Sequence, residues 1–304
     1  MDILTVIAGF FLISLVVLGE YFNNALLASN KAVKELIVCF QFIIVGSVFL
    51  LIGGDGRPFF SHDFFTDWRF WVLAGLESCT LWFMLLCMER NKAQVHVVGY
   101  FQFLTLPLIP IVVLVFDYLN LFPGSMQMPF TEIWHWVLFV AFNMSLTAMF
   151  IGPKLKQGSI PNISSLIMLS SCLCLTIIFS VKLIQIYPNA ILLYAFIFIF
   201  KSIVYLLLSF DKIRKLEWNK ELQSFVTITT IKCSAIFMVI WGLNLIAAKL
   251  IPVELFAIFK RLSQVSNSYL FDAINKKTLR FISRKDVSIV GSILAFNVIL
   301  ITVV

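Results

Sequence analysis

The sequence predicts an all-α, polytopic membrane protein of ten transmembrane helices, arranged as two inverted five-helix repeats. Three observations lead there. Of the 304 residues, 61% are hydrophobic and only 13% are charged, against roughly 25% charged in average soluble proteins. That much apolar surface needs a bilayer as its solvent. The apolar residues also fall into ten runs, each near the roughly 20 residues that a helix needs to cross the hydrocarbon core. Finally, short motifs recur at one spacing. Phe116-Asp117-Tyr118-Leu119-Asn120 closes the fourth run, and Phe271-Asp272-Ala273-Ile274-Asn275 closes the ninth, 155 residues later. Ala141-Phe142-Asn143 in the fifth run returns as Ala295-Phe296-Asn297 in the tenth, 154 residues later. The repeats are therefore drawn at 1–154 and 155–304, and an odd number of spans in each inverts one half relative to the other.

The runs are 3–21, 33–53, 68–88, 95–119, 132–152, 162–186, 188–209, 223–248, 251–272 and 286–304. No basic stretch precedes the first, which reads as a resident span and not a cleaved signal. The hairpin of the first two runs carries Asn23, Asn24 and Gln41, either interhelical hydrogen bonds or cavity-lining groups. Glu77 lies in the third run. The fourth has Gly99 and Tyr100 near its start, then Gln102, Pro107 and Pro110, a composition that suits either a static kink or a moving helix. Lys201 lies in the seventh run, Lys232 in the eighth, and Lys260 and Arg261 in the ninth. All six cysteines fall inside runs and read as small core residues, neither a disulfide framework nor a metal site. Loops are short, so no soluble domain fits between spans. The net charge is +7, but the cations sit mainly at membrane edges and match lipid headgroups better than nucleic acid. There is no zinc spacing, no phosphate-binding glycine loop and no nucleophile constellation, so an enzyme, a metal and a cofactor are not expected.

Charges inside the spans define the functional question. Adjacent cations in an apolar run cost several kcal/mol on insertion scales unless they face protein, water or an anion. Lys260, Gln264, Ser268 and Asp272 follow in steps of four, one stripe of a helix, flanked by Arg261 and Asn267. A lysine point charge and the planar arginine fork both suit phosphate oxygens. Glu77 and Lys232 are 155 apart, in corresponding places of the two repeats. They form a structural ion pair, or Lys232 joins Lys260 and Arg261 around an anion while Glu77 balances the empty site. Glu254 is a second acid able to balance Lys260.

These residues are similar to those of the drug/metabolite transporter superfamily, and within it the nucleotide-sugar and triose-phosphate transporters. The ninth span of GDP-mannose-type transporters carries Gly-Ala-Leu-Asn-Lys, with Phe-Asp-Ala placing its Asp twelve residues after the Lys. Here Phe256-Ala257-Ile258-Phe259-Lys260 and Phe271-Asp272-Ala273 keep that step, with Ala257 and Lys260 matching and the glycine and asparagine replaced. Lys260-Arg261 resembles the Lys-Arg of the phosphate-sugar translocators. Val95 to Thr105 parallels the family's fourth-span motif, with Gln102 where the family has lysine. Asn23-Asn24 and Phe40-Gln41 resemble its first hairpin.

The resemblance implies a secondary-active antiporter working by alternating access in a Golgi or ER membrane, with the plasma membrane as the other location. Its cargo would be an anionic sugar-phosphate compound, above all a nucleotide sugar exchanged for the nucleoside monophosphate. The implied substrate-binding residues are Lys260, Arg261, Lys232, Gln264, Asn267, Tyr100, Gln102 and Asn24, with Glu77 and Glu254 as charge balance. The lipid bilayer is the other partner, no nucleic acid is expected, and a homodimer is left open. Two rivals stand beside this reading: a metabolite or amino-acid exporter of the same fold, and a non-transporting structural or lipid-modifying membrane protein. Orientation is divided. Loops after odd-numbered spans hold most Lys and Arg, among them Lys31, Arg90, Lys154, Arg214 and Lys277, whereas the other side holds Arg57, Arg69, Lys182 and Lys249. The positive-inside rule then places both termini outside or in the lumen, while the resemblance implies cytosolic termini.

Overall fold

The structure, a computed structural model of the chain, describes residues 3–28, 33–54, 56, 62–90, 104–123, 132–156, 163–216, 218–260, 263, 291–292, 295–296 and 299. Among them there is no strand. The helices are α1 (Ile3–Ala28), α2 (Lys34–Gly53), α3 (Trp68–Arg90), α4 (Thr105–Tyr118), α5 (Ile133–Lys156), α6 (Ile163–Ile186), α7 (Ala190–Arg214) and α8 (Lys220–Leu250). A 3-10 turn, Asp63–Phe65, precedes α3. Residues 253–260 are helical again, as α9. Four stretches are long and apolar enough to cross a bilayer: Lys34–Gly53, Ser164–Ile186, Ala190–Arg214 and Lys220–Leu250. The chain is therefore an all-helical membrane protein. The apolar stretches Leu4–Glu20, Thr105–Tyr118 and Ile133–Met149 are shorter. Residues 95–103 of the fourth run, 261–262 and 264–272 of the ninth and most of the tenth lie outside the described residues.

Helix ends follow local chemistry more than hydropathy. The eighth run is drawn from 223, yet the helix starts at Lys220 because the Asn219 side-chain Oδ1 accepts the Leu222 amide at 2.7 Å. An N-cap of this kind fills one of the four orphan donors of a helix start. At 31 residues α8 is about 46 Å long, well beyond one hydrocarbon thickness. Helix α4 runs unbroken through Pro110, and both Pro107 and Pro110 are buried. Pro107 falls in the first turn, where a missing N–H costs nothing.

The described residues pack as two compact units, one drawn from 15–78 and 187–246, the other from 1–14, 79–186 and 247–304. Each unit takes segments from both 1–154 and 155–304.

In the first unit, α2 and α7 run antiparallel along their lengths. Asn189 meets Gly53 at one end, Ser202 donates to the Cys39 carbonyl at 3.0 Å midway, and Lys212 reaches Glu35 at the other. Glycine sets the separation. A Cβ on Gly46 would stand 2.9 Å from the Ala195 carbonyl oxygen and 2.9 Å from Ile199 Cγ1. Asn189 ties off this seam: its Oδ1 caps α7 through the Leu192 amide, and its Nδ2 donates to the Gly53 carbonyl at 2.7 Å. An aromatic core fills the remainder, with Phe198 ringed by Phe42, Phe237, Tyr194 and Trp241 at centroid distances of 5.1–5.9 Å. Aromatic pairs at these spacings add about 0.5–1.5 kcal/mol each beyond their buried area.

In the second unit, α4 packs on α5 and α6, with Phe116, Phe122 and Phe179 forming a ring cluster at 5.0–5.8 Å. The hydroxyls of Thr80 and Thr176 meet at 2.8 Å and join α3 to α6. The start of α1 lies along α9, where Phe10 packs edge-on against Phe259 at 5.5 Å and Ser14 shares a 2.8 Å hydrogen bond with Ser263.

Gly46→Ala should cost about 1–3 kcal/mol, because the added methyl meets backbone that cannot move cheaply. Gly75→Ala should not, since a Cβ there meets nothing within 4 Å. Thermal melts of the two purified variants in detergent make the comparison; equal melting temperatures would refute the close-approach account of Gly46.

Candidate functional site

Helix α7 turns Tyr194, Phe198, Lys201 and Tyr205 to one buried face, in steps of four, three and four. This register carries a lysine into the first unit, where Lys201 Nζ donates to Glu77 Oε2 of α3 at 2.7 Å, both side chains buried. The ammonium also stands 4.8 Å from the centre of the Phe42 ring, a cation–π contact that compensates lost hydration. The pair is neutral and closed. The pairing of Glu77 with Lys232 expected from the repeat spacing is thus corrected. Lys232 is exposed on α8, because the buried face of that helix at this level is carried by its neighbours Cys233 and Ser234. Close by in sequence, Gln41 Nε2 donates to Asn23 Oδ1 at 3.1 Å and to the Cys233 carbonyl at 3.2 Å. These polar groups of the first hairpin therefore bridge α1, α2 and α8. The buried face of α8 also carries Thr230 Oγ1, Ser234 Oγ and Asn244 Oδ1, which have no hydrogen-bond partner among the described residues.

The second unit holds a different charge centre, at the junction of α8 and α9. Lys182, one turn from the end of α6, is buried and lies 3.9 Å from Asp117 Oδ1 at the end of α4. Glu254, in the first turn of α9, is 2% exposed and stands within electrostatic reach of both. Gln185 lies one turn beyond Lys182 and donates to the carbonyls of Ala248 at 3.1 Å and Ile251 at 3.3 Å. It thereby takes up backbone acceptors that the end of α8 at Pro252 leaves open. Two acids and one lysine meet here, so the centre is not balanced by its own described groups.

A third arrangement sits just outside the spans, in the first unit. Asp67 accepts the Arg69 amide at 2.9 Å, Arg69 Nε at 2.8 and 2.9 Å, and the Tyr187 hydroxyl at 2.6 Å. Arg69 completes the fork with a 2.7 Å contact from its other nitrogen. Burial pushes the Asp67 carboxyl up, but the hydrogen bonds of Arg69 and Tyr187 and the guanidinium charge outweigh it and hold the group below its usual value. Burial, and then the hydrogen bond to this carboxylate, push the Tyr187 phenol up.

Of the residues singled out in sequence, Lys260 is described. Val253 through Phe259 are all buried, and Lys260 is the first residue of α9 to be partly exposed. Arg261, Gln264, Asn267, Tyr100 and Gln102 lie outside the described residues, as does the side chain of Asn24 on α1. Glu77 and Glu254 are buried, in separate units, and the described basic groups beside them are Lys201 and Lys182. Sequence pattern alone did not single out Lys182, Asp117 or the Asp67–Arg69–Tyr187 group. Cys39, Cys174 and Cys233 are buried, while Cys79 is exposed. No protein-family model matches this sequence, and no curated protein matches it.

Two outcomes follow from this geometry. Lys201→Met should destabilise the protein by about 3–5 kcal/mol, because Glu77 is left as an unpaired buried charge. Adding Glu77→Gln should recover most of that loss in a detergent melt; no recovery would show that the pair is not what couples the two positions. At the membrane edge, Asp67 has a folded-state value lowered from its unfolded value of about 3.9, so its contribution is present above that value and lost as pH falls through the folded one. The stability gap between wild type and Asp67→Asn should be full at neutral pH and close below about pH 3.9. A gap that stays constant into acid would count against the ion-pair account.

Proposed function

We propose that the chain is a secondary-active transporter of ten helices in two inverted repeats, exchanging an anionic sugar-phosphate compound for the nucleoside monophosphate by alternating access. A nucleotide sugar exchanged for the nucleoside monophosphate, across a Golgi or ER membrane, is the cargo and place that the ninth-span likeness favours. The observation that carries this reading is Lys260. It is a cation at the point where an otherwise buried helix regains exposure, next to Arg261, in a chain that has few charges to spare. A cation so placed offers an anionic cargo a fixed positive charge. Lys260 and Arg261 would take phosphate oxygens. Gln264, Asn267, Tyr100, Gln102 and Asn24 would offer hydrogen bonds to sugar or base, and Lys232 would add to the field.

A smaller solute is the second reading, and one observation favours it. Lys201 is taken up by Glu77, and Lys182 sits with two acids. The buried charge centres of the described residues therefore offer no surplus positive charge to a dianionic or trianionic group, and the burden falls on Lys260 and Arg261. A metabolite or amino-acid exporter would need less.

Uptake into proteoliposomes against a panel of nucleotide sugars and amino acids, with the monophosphates loaded inside, separates the two. Under the first reading, Lys260→Ala should weaken substrate binding about tenfold or more, since charge-assisted hydrogen bonds contribute roughly 1.5–3 kcal/mol and 1.4 kcal/mol is tenfold. Exchange of amino acids alone, or nucleotide-sugar exchange unaffected by the substitution, would sink the phosphate-site assignment.

A further inference from the structure

Helix α8 turns two hydroxyls into the core of the first unit and leaves them unpaired. Inside an apolar bundle a serine or threonine hydroxyl ordinarily donates to the carbonyl four residues back on its own helix. Ser78, Ser170, Thr176 and Thr227 all do so, at 2.8–2.9 Å. Thr230 and Ser234 do not. They stand one turn apart on the buried face of α8, 3% and 1% exposed, and neither hydroxyl has a hydrogen-bond partner among the described residues. The same holds for Asn244 Oδ1, farther along that face. Other polar groups reach the same level: Gln41 of α2 donates to Asn23 of α1 and to the carbonyl of Cys233, which stands between the two hydroxyls in sequence. A hydroxyl that is both unpaired and shut off from water has lost its hydration with nothing in return. Two of them at one level disfavour the closed arrangement that holds them.

We infer that Thr230 and Ser234 line a water-filled path in a second arrangement of this unit, in which α8 parts from α2 and water reaches the level of Cys233. In the arrangement described above the level is closed. Gln41 ties α2 to α8 through the Cys233 carbonyl at 3.2 Å, and Phe237, one turn past Ser234, packs edge-on against Phe42 of α2 at 5.4 Å. Opening breaks one side-chain hydrogen bond and one ring contact, and Gln41 keeps its bond to Asn23. In exchange each hydroxyl donates to water and accepts from it, while the backbone ladder of α8 stays whole because neither hydroxyl bonds to it. Packed helices pass between discrete arrangements and do not deform continuously. The unpaired hydroxyls narrow the free-energy gap between the two by penalising the closed one, which raises the population of the open one. This inference does not rest on the transport reading, since water entry needs no cargo.

Native Cys233, 0% exposed and adjacent to Ser234, reports on the second arrangement. The purified full chain is treated with a charged, water-soluble methanethiosulfonate, and modification is mapped by mass spectrometry. Cys233 of the wild type should be modified, because a charged reagent reaches only a wetted thiol. Thr230→Val combined with Ser234→Ala keeps the shape of the face and removes the groups that only water satisfies. That double variant should melt above wild type, and its Cys233 should react about tenfold more slowly, the scale on which buried unpaired groups act. Thr227→Val, on the same helix with its hydroxyl already bonded, should leave the labelling rate unchanged. A Cys233 that stays unmodified in folded wild type yet reacts on unfolding overturns the inference. Labelling that the double variant leaves at the wild-type rate, or a double variant that melts at or below wild type, overturns it too. In either case the hydroxyls merely turn to the Val226 and Thr230 carbonyls of their own helix. A double variant that fails to fold has the same force, since groups without partners cannot be what holds the fold. Failure of every cargo tested would strike the transport reading and leave the labelling result as it stands.

Discussion

The constraint on which the rest of this structure depends is that charge inside a bilayer-solvated chain must be neutralised where it stands. Water cannot do it, so each buried ionisable group selects partners from other helices and fixes their register. The Glu77–Lys201 pair shows the consequence. Its 2.7 Å contact sets the rotation of α3 against α7. The Phe42 ring, 4.8 Å from the ammonium, then places α2 on the same partner. Replaced by apolar residues, such a pair need not lose stability; left half-made, it is among the costliest defects a core can hold. Its value lies in specifying one arrangement of three helices.

The close seam of α2 and α7 follows from the same economy of polar groups. Without a hydrophobic drive between helices in lipid, association depends on van der Waals fit and on interhelical hydrogen bonds. Gly46 lets the backbones approach until its own Cα faces the Ala195 carbonyl. Ser202 and Asn189 then spend their donors on the Cys39 and Gly53 carbonyls of the facing helix. Each bond is small. In register, they hold the depth at which Lys201 meets Glu77.

Much of the fold was legible in the sequence, because twenty-residue apolar runs admit few other structures. Helix starts were less so: α8 begins at Lys220, three residues ahead of the run drawn from 223, since the Asn219 side chain caps it. The partner of Glu77 could not be read from a spacing of 155, because a spacing says nothing about which face of α7 or α8 turns inward. Lys182 reads as a membrane-edge cation in sequence, one turn from the end of its run, and only the packing of α4 and α9 against that turn makes it a buried one. Tyr187 and Asp67 lie 120 residues apart, a pairing with no local signature. Glu254 was legible as an acid inside an apolar run; its described neighbours Lys182 and Asp117, from two other helices, were not.

The two buried charge centres are met differently by their surroundings. Glu77–Lys201 is a short pair, and its unit is further joined by the Gly46 seam and by Asn189, whose side chain caps α7 and reaches the Gly53 carbonyl. Lys182 stands 3.9 Å from Asp117, beyond hydrogen-bond reach, with Glu254 in electrostatic range. Gln185, one turn along α6, supports the break between α8 and α9 through the carbonyls of Ala248 and Ile251, so a polar side chain takes over where the helical ladder stops.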